Sequence, residues 1–477
     1  MTLLVFGMDG AVEEWVDEAI DRGLMPNLEK FREQGCFGKM DSTTPPITIP
    51  AWVSMFSGLQ PDKFDTYHMT EMNPDYSRSS ITSSRWQGEM LWDKLEGEFG
   101  LINVPGTSPL WPVNGYVFEG FPMVEDPSVY PESLKEKLPE FDFVEKDGQA
   151  TRERRRQAFF TNFHKRKEIF DKIDEDADVR IEVYQLTDTT AHRSKNLDQI
   201  MEAYEEVDKV LGKRMEEYDD ILLVSDHGFT HIDKMFYVNT WLENRGLLNQ
   251  KTGSDDSEED KSSRTLMDRI QKLLSPLAET RLRPVLKLGN DLLNSTAGVD
   301  FSPGRKGVNH IDFENTKAFS FRGGGNNHGD INLNDEKFEK GVEMDREKVL
   351  DRIENELREE EFIAEVWRRE DLYDEPENMP EIVFKTTEDT GVGSSLFTKE
   401  LFKTDAFIHS ETGIVGARGK SFKQGRAPRS ELVDVAPTIA HYIGQELDVD
   451  GEVIDIFAED FEPEKPSSTE NLNDLDI

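Results

Sequence analysis

Asp9 closes a short apolar run, TLLVFGMDG (2–10), and Asp188 and His192 stand four apart in TDTTAH. Asp226 and His227 are adjacent in SDHG, and His409 lies in AFIHSETGIVGARG. Carboxylates and imidazoles without a thiolate form a donor set that suits zinc or a similar divalent ion. Alone, a D-x-x-x-H is more often a surface pair and an Asp-His commonly a turn. All of them fall at the end of an apolar strand, and jointly they read as one site. Adjacent strand residues point to opposite faces. Asp226 and His227 can therefore share a site only where the strand ends and turns, which Gly228 permits.

A nucleophile candidate lies in STTPPITIPAWVSMFSG (42–58). Pro45, Pro46 and Pro50 restrict the backbone around Thr48, and proline loses no hydrogen bond in a first helical turn. The pattern predicts a helix through Ala51–Phe56 that ends at Gly58, with Thr48 just ahead of it. Free N–H groups and the helix dipole favour an anion at such a place. A helix cap is the plain alternative for this hydroxyl.

The elements that must position these groups read as alternating strands and helices. VRIEVYQLTD (179–188) and DDILLVSDHG (219–228) are strands ending in acidic and histidine residues, and 197–217 between them is an amphipathic helix. Residues 13–34 have helical spacing, TGIVGARG (412–419) is a further strand, and 432–444 reads as a helix returning to the core. This pattern predicts an α/β fold: a doubly wound, three-layer α/β/α sandwich with a mostly parallel central sheet and an inserted cap region. Ligands of such sheets bind at the carboxyl ends of the strands. The reading divides the chain into a catalytic core, first part (1–248), an insertion (249–380), a second core part (381–458) and an acidic, disordered tail (459–477). Within the insertion, 264–293 is predicted helical, and the charged stretch 336–371 is predicted to be a solvated helical face.

With 56 basic against 97 acidic residues the net charge is −41, which disfavours nucleic acid or an anionic membrane as the main partner. The acid excess runs along the whole chain, the composition of a halophilic, haloarchaeal protein screened by molar salt. The single cysteine, Cys36, leaves no internal disulfide. Neither a signal peptide nor a run of about 18 apolar residues is present, so the expectation is a cytoplasmic protein without a membrane span.

The order Asp, Thr before a proline-started helix, D-x-x-x-H, S-D-H-G and a late His before G-I-x-x-A-x-G resembles the alkaline phosphatase superfamily. Within it the chain is most similar to the type I phosphodiesterase/nucleotide pyrophosphatase-like branch of phosphohydrolases and phosphomutases. GLMPNLEKFREQG (23–35), SDHGFTHIDKMFYVNTWLENRGLL (225–248) and DVAPTIAHYIG (434–444) carry the same likeness. The resemblance implies that Asp9, Thr48, Asp226 and His227 surround one divalent metal ion, and that Asp188, His192 and His409 hold a second. It implies zinc, with manganese as the alternative, and Thr48 as a nucleophile that forms a phosphothreonine intermediate. The substrate would be a small-molecule phosphate monoester or diester.

Two departures stand out. Relatives carry His-Gly after the G-x-x-P segment, where this chain has Phe64-Asp65, and Met69 falls near an expected phosphate-binding Asn. His68 is a candidate replacement, and His328, in NNHGDIN, could reach substrate from the cap. Cys36 does not match the C-x-P-x-R motif of sulfatases. A phosphomutase or phosphotransferase, and a non-catalytic binding protein, are the competing functions on the same fold. Among the late histidines His310, His328 and His441, none has the strand context of His409.

Overall fold

A computed structural model describes residues 2–120, 127–141, 143, 152–194, 196–251, 308–321, 325–374 and 376–463. The helix predicted over 264–293 and the end of the chain beyond 463 lie outside the described residues.

The centre is a ten-stranded sheet. Leu3–Met8 lies between Val179–Tyr184 and Asp220–Val224, parallel to both. Phe99–Ile102 and Gly115–Phe118 extend the parallel run beyond Val179–Tyr184. On the other side Thr412–Arg418 is inserted antiparallel between Asp220–Val224 and Gly35–Asp41.

Both faces of this sheet are covered, which the near-continuous apolar strands anticipate. Leu3, Val5, Ile181, Val183, Leu222 and Val224 face one core with the helices Thr48–Ser57 and Val435–Tyr442. Leu4, Phe6, Met8, Tyr184, Ile221 and Leu223 face the other, with Glu13–Asp21, Pro26–Gln34, Arg152–Phe170 and Leu197–Glu217. Strand periodicity of two thus builds the three layers.

The predicted single helix over 13–34 is two helices, because Pro26 opens a second one after a left-handed turn at Gly23. Between the second helix of that pair and the sheet edge, the strand Gly35–Asp41 follows without a loop.

A smaller unit packs on the carboxyl edge of the main sheet. It combines a three-stranded sheet (Thr390–Gly393, Gly228–Tyr237, Leu401–Ser410) with a four-stranded one (Ala318–Phe319, His328–Leu333, Ile382–Thr386, Ile363–Arg368). The stretch 336–371 is more than a solvated face. Its helix, Arg346–Arg358, buries Val349, Leu350, Ile353 and Leu357 against Trp241, Ile331 and Phe384 in a third core. Spacing of three and four places those four residues on one stripe despite the surrounding charge.

Candidate active site

Each site residue is placed by a short, identifiable piece of chain. Asp9 follows the first strand directly, and its N–H bonds the Tyr184 carbonyl (3.1 Å) as the sheet ladder ends. Gly10 then turns at φ +70°, where a Cβ would meet the Phe229 ring at 2.6 Å. Its N–H reaches Asp226 Oδ1 (3.2 Å), so the turn after one strand holds the carboxylate after another. Asp188 and His192 sit on and just beyond the short helix Leu186–Ala191. Four-residue spacing puts them on one side, and Asp188 Oδ1 lies 3.2 Å from His192 Nε2.

Thr48 is the first residue of the helix Thr48–Ser57, which starts before the predicted Ala51–Phe56 and takes in the threonine expected just ahead of it. Ile47 is the extended residue before it and Ala51 N–H bonds the Ile47 carbonyl (2.9 Å), so the first turn closes around Pro50, which needs no donor. Thr48 is buried, and its Oγ1 lies 3.4 Å from His227 Nε2.

His409 arrives by strand pairing. Gly228–Tyr237 leaves the main sheet immediately after His227 and pairs antiparallel with Leu401–Ser410, setting Phe229 opposite His409. The imidazoles of His227 and His409 stack at 3.7 Å between centroids, with 21° between planes. His409 Nε2 faces Asp188 Oδ1 at 3.2 Å and His192 Nε2 at 2.7 Å. Asp9, Thr48, Asp188, His192, Asp226, His227 and His409 are thus brought to one place, at the carboxyl edge of the parallel strands.

The electrostatics fit a cation. Burial first, then the Asp226 and Asp188 carboxylates, push the Asp9 carboxyl well above its usual range. Burial and Asp188 do the same to Asp226. Burial would also raise Asp188, but His192 and His409 hold it well below the ordinary value. His227 is pushed down by burial and by His409. Asp9 Oδ1 and Asp226 Oδ2 are buried without a hydrogen-bond partner, as oxygens reserved for a metal would be.

The backbone prepares the imidazoles. His227 Nδ1 donates to the Gly228 carbonyl (3.1 Å) and His409 Nδ1 to the Pro46 carbonyl (3.0 Å). Those bonds select the tautomer that leaves each Nε2 as a lone pair facing the site. Among the described residues two groups could hold a metal: Asp188, His192 and His409, and Asp9, Asp188 and His227. Asp188 belongs to both.

His68 and His328 lie apart from this cluster, in one cavity with Pro45, Tyr67, Asn326 and Asp330. His328 Nε2 pairs with Glu411 (2.8 Å), two residues past His409. Phe64-Asp65, the departure from the family pattern, has a local role. Asp65 takes a left-handed conformation (φ +50°) and accepts the Asn378 N–H (2.8 Å), tying the loop to the smaller unit. Met69 is an exposed hydrophobic residue. His310 is exposed in a turn, and His441 packs on Phe457.

Sequence reasoning missed Gly325 and Asn326. The Gly325 carbonyl accepts the His409 N–H (2.6 Å), and Asn326 forms a bridge to His409, so the Gly/Asn-rich segment buttresses the site. Its composition gave a signal for a turn, without naming what the turn would touch.

A mostly parallel sheet with helices on both faces, and an Asp/His cluster at its carboxyl edge, is an alkaline phosphatase-like architecture. The profile of the type I phosphodiesterase/nucleotide pyrophosphatase family matches residues 3–390, and the chain belongs to that family. It is a phosphoric ester hydrolase of the alkaline phosphatase superfamily. Among solved structures it is similar to murine ectonucleotide pyrophosphatase/phosphodiesterase 5, at 12% identity and TM-score 0.55, over 96% of this chain and 100% of that one. An inactive variant of that murine protein, with a threonine changed to alanine and AMP bound, matches at 11% identity and TM-score 0.52, over 92% and 94%. Phosphonoacetate hydrolase from Sinorhizobium meliloti 1021, with phosphonoformate, matches at 14% identity and TM-score 0.50, over 91% and 93%. No curated protein matches the sequence.

Proposed function

We propose that this chain hydrolyses small-molecule phosphate monoesters or diesters through a covalent phosphothreonine at Thr48, with metal ions held by Asp9, Asp188, His192, Asp226, His227 and His409. The observation that carries the reading is a hydroxyl at a helix N-terminus, 3.4 Å from the His227 Nε2 within a cluster of three carboxylates and three imidazoles. Two divalent ions, zinc or manganese, would lower the pKa of the attacking hydroxyl and neutralise charge on the phosphoryl oxygens.

The chain's own residues do the rest. Thr48 Oγ forms a bond to phosphorus as the ester P–O bond breaks, and the leaving oxygen takes a proton from solvent. Water then attacks phosphorus, releases inorganic phosphate or a phosphate monoester, and restores the Thr48 hydroxyl. Backbone N–H groups of the first helical turn are donors for the equatorial oxygens. The hydrogen bonds from Nδ1 to the Gly228 and Pro46 carbonyls keep His227 and His409 oriented with Nε2 towards the site. His68 and His328 would contact the substrate in this reading, since Pro45, close in sequence to Thr48, lines their cavity. The inactivity of the murine threonine-to-alanine variant, crystallised with AMP, is in keeping with a threonine-dependent reaction on phosphate esters.

The acid-rich composition is read as adaptation of a haloarchaeal protein to salt in the cytoplasm. Equal melting temperatures in about 0.1 M and about 3 M KCl would contradict it.

The test of the activity is a panel of aryl phosphate monoesters and diesters, assayed with zinc or manganese and again after chelation. Turnover that requires metal and releases phosphate or a monoester is expected. Transfer to an added alcohol without release to water would favour the phosphotransferase, and no metal-dependent turnover of any ester would overturn the reading.

A further inference from the structure

A second cavity opens at the carboxyl ends of Phe99–Ile102 and Val179–Tyr184, lined by Asn103, Phe163, Arg166, Gln185, Leu186 and Thr189. It shares the helix Leu186–Ala191 with Asp188, whose neighbour Thr189 lines it. Both places therefore lie along the sheet edge where ligands of doubly wound folds bind.

Arg166 is the unusual member. It is 7% exposed, and its Nη1 donates to Asn103 Oδ1 (3.0 Å) while its buried Nε has no hydrogen-bond partner. Among the described residues no carboxylate lies within ion-pair distance of it. Glu119 is its acidic neighbour, and that carboxylate accepts the Ser128 N–H (2.7 Å). The Phe143 ring covers the guanidinium at 4.6 Å.

Arg180 and Arg214, also buried, show the usual solution. Both pair with Glu182, at 2.7 and 2.8 Å. Burial of a charge is costly without a counter-ion, and where Arg180 and Arg214 have a carboxylate, Arg166 has a cavity. The consequence shows in its acidity: burial pulls Arg166 down to about 10, whereas against the same burial Glu182 keeps Arg180, and Tyr184 with Glu182 keeps Arg214, above the ordinary value.

The wall is built to hold this arginine in place. Asn103 sits in the left-handed region (φ +58°), its Nδ2 anchored on the Val183 carbonyl (2.7 Å), which turns Oδ1 towards Arg166. Gln185, with a buried amide oxygen lacking a hydrogen-bond partner, offers an acceptor for a ligand hydroxyl in the same cavity.

We infer that this cavity is an anion subsite, in which Arg166, positioned by Asn103, receives a phosphate or carboxylate carried by the substrate beyond its scissile ester. The inference rests on the hydrolase reading, and it makes the preferred substrates doubly anionic. Guanidinium is suited to such oxyanions through its planar fork of donors.

The test compares matched pairs, 4-carboxyphenyl phosphate with phenyl phosphate and a nucleoside diphosphate with its monophosphate, on wild type, Arg166→Met and Arg166→Lys. The ratio of kcat/KM within a pair is expected to fall at least about ten-fold in Arg166→Met, as loss of a charged hydrogen bond implies, and to recover in part with lysine. An unchanged ratio in both variants overturns the subsite. Calorimetric titration of the same proteins with inorganic pyrophosphate gives an arm independent of turnover. Wild type should bind at least about ten-fold more tightly than Arg166→Met, and equal binding overturns the inference even if no ester is hydrolysed. Arg166-dependent binding of pyrophosphate with no change in any pair ratio would assign the cavity to a free anion and contradict a substrate subsite. Should Arg166→Met fail to fold by circular dichroism, Arg166→Lys carries both arms.

Discussion

The two halves of the Asp/His cluster use the same residue types under opposite conditions. Asp9, Asp226 and His227 are each at most 1% exposed, whereas the His192 side chain is 27% exposed. In the buried half, carboxylates face carboxylates, and desolvation drives Asp9 and Asp226 towards the neutral form. In the open half two imidazoles face one carboxylate, and Asp188 stays ionised although burial opposes it. Neighbours, more than residue type, set the charge state. The buried half therefore depends on a cation to stay ionised, while the open half tolerates its loss.

In the proposed reading the first consequence is a large asymmetry between mutants. Asp226→Asn, which removes a charge from the buried half, should abolish turnover by at least about a thousand-fold. It should also lower the metal content measured by elemental analysis. Retention of both full metal content and activity would refute the assignment of Asp226. His409→Ala, in the open half, should remove about one equivalent of metal and most activity while the other ion stays bound. Full occupancy in His409→Ala would move the ligand role to another histidine. A third and smaller effect concerns the rim of the open half. Burial would raise the Glu411 carboxyl, but His328 and Lys385 hold it at about 2. A carboxyl lowered by folding stabilises the protein above its unfolded pKa, about 4.3, and that contribution disappears as pH falls towards 2. The melting temperature of wild type should exceed that of Glu411→Gln at pH 6, and the gap should narrow progressively below about pH 4. A gap independent of pH would remove the charge from the account.

Sequence alone made much of this site legible, for local reasons. Asp9 and Asp226 end apolar runs that can only be buried strands, and Asp188 and His192 carry their spacing in four consecutive steps. Apolar residues alternating between two cores are likewise a local signal, as in Leu3 to Phe6. What stayed hidden depends on distant pairing. The stacking of His409 on His227 follows from a register that joins strands about 180 residues apart, and no local pattern encodes it. The Gly325 carbonyl under His409 is hidden for the same reason. Arg166 is concealed differently: it is one of several basic residues in RERRRQAFFTNFHKRKEIF (152–170), and only packing against Phe118 and Phe143 removes its charge from water. Charge density likewise masked the apolar stripe of Arg346–Arg358.

The central claim is that phosphoryl transfer passes through the threonine at the mouth of the helix Thr48–Ser57. The most direct measurement is acid quench of the metal-loaded enzyme during turnover of an aryl phosphate, followed by peptide mass spectrometry. A phosphoryl group on Thr48 is predicted in wild type, with none on that peptide in Thr48→Ala and no remaining turnover. Hydrolysis by Thr48→Ala at a rate near wild type, or a phosphoryl group on any other residue, would contradict the account.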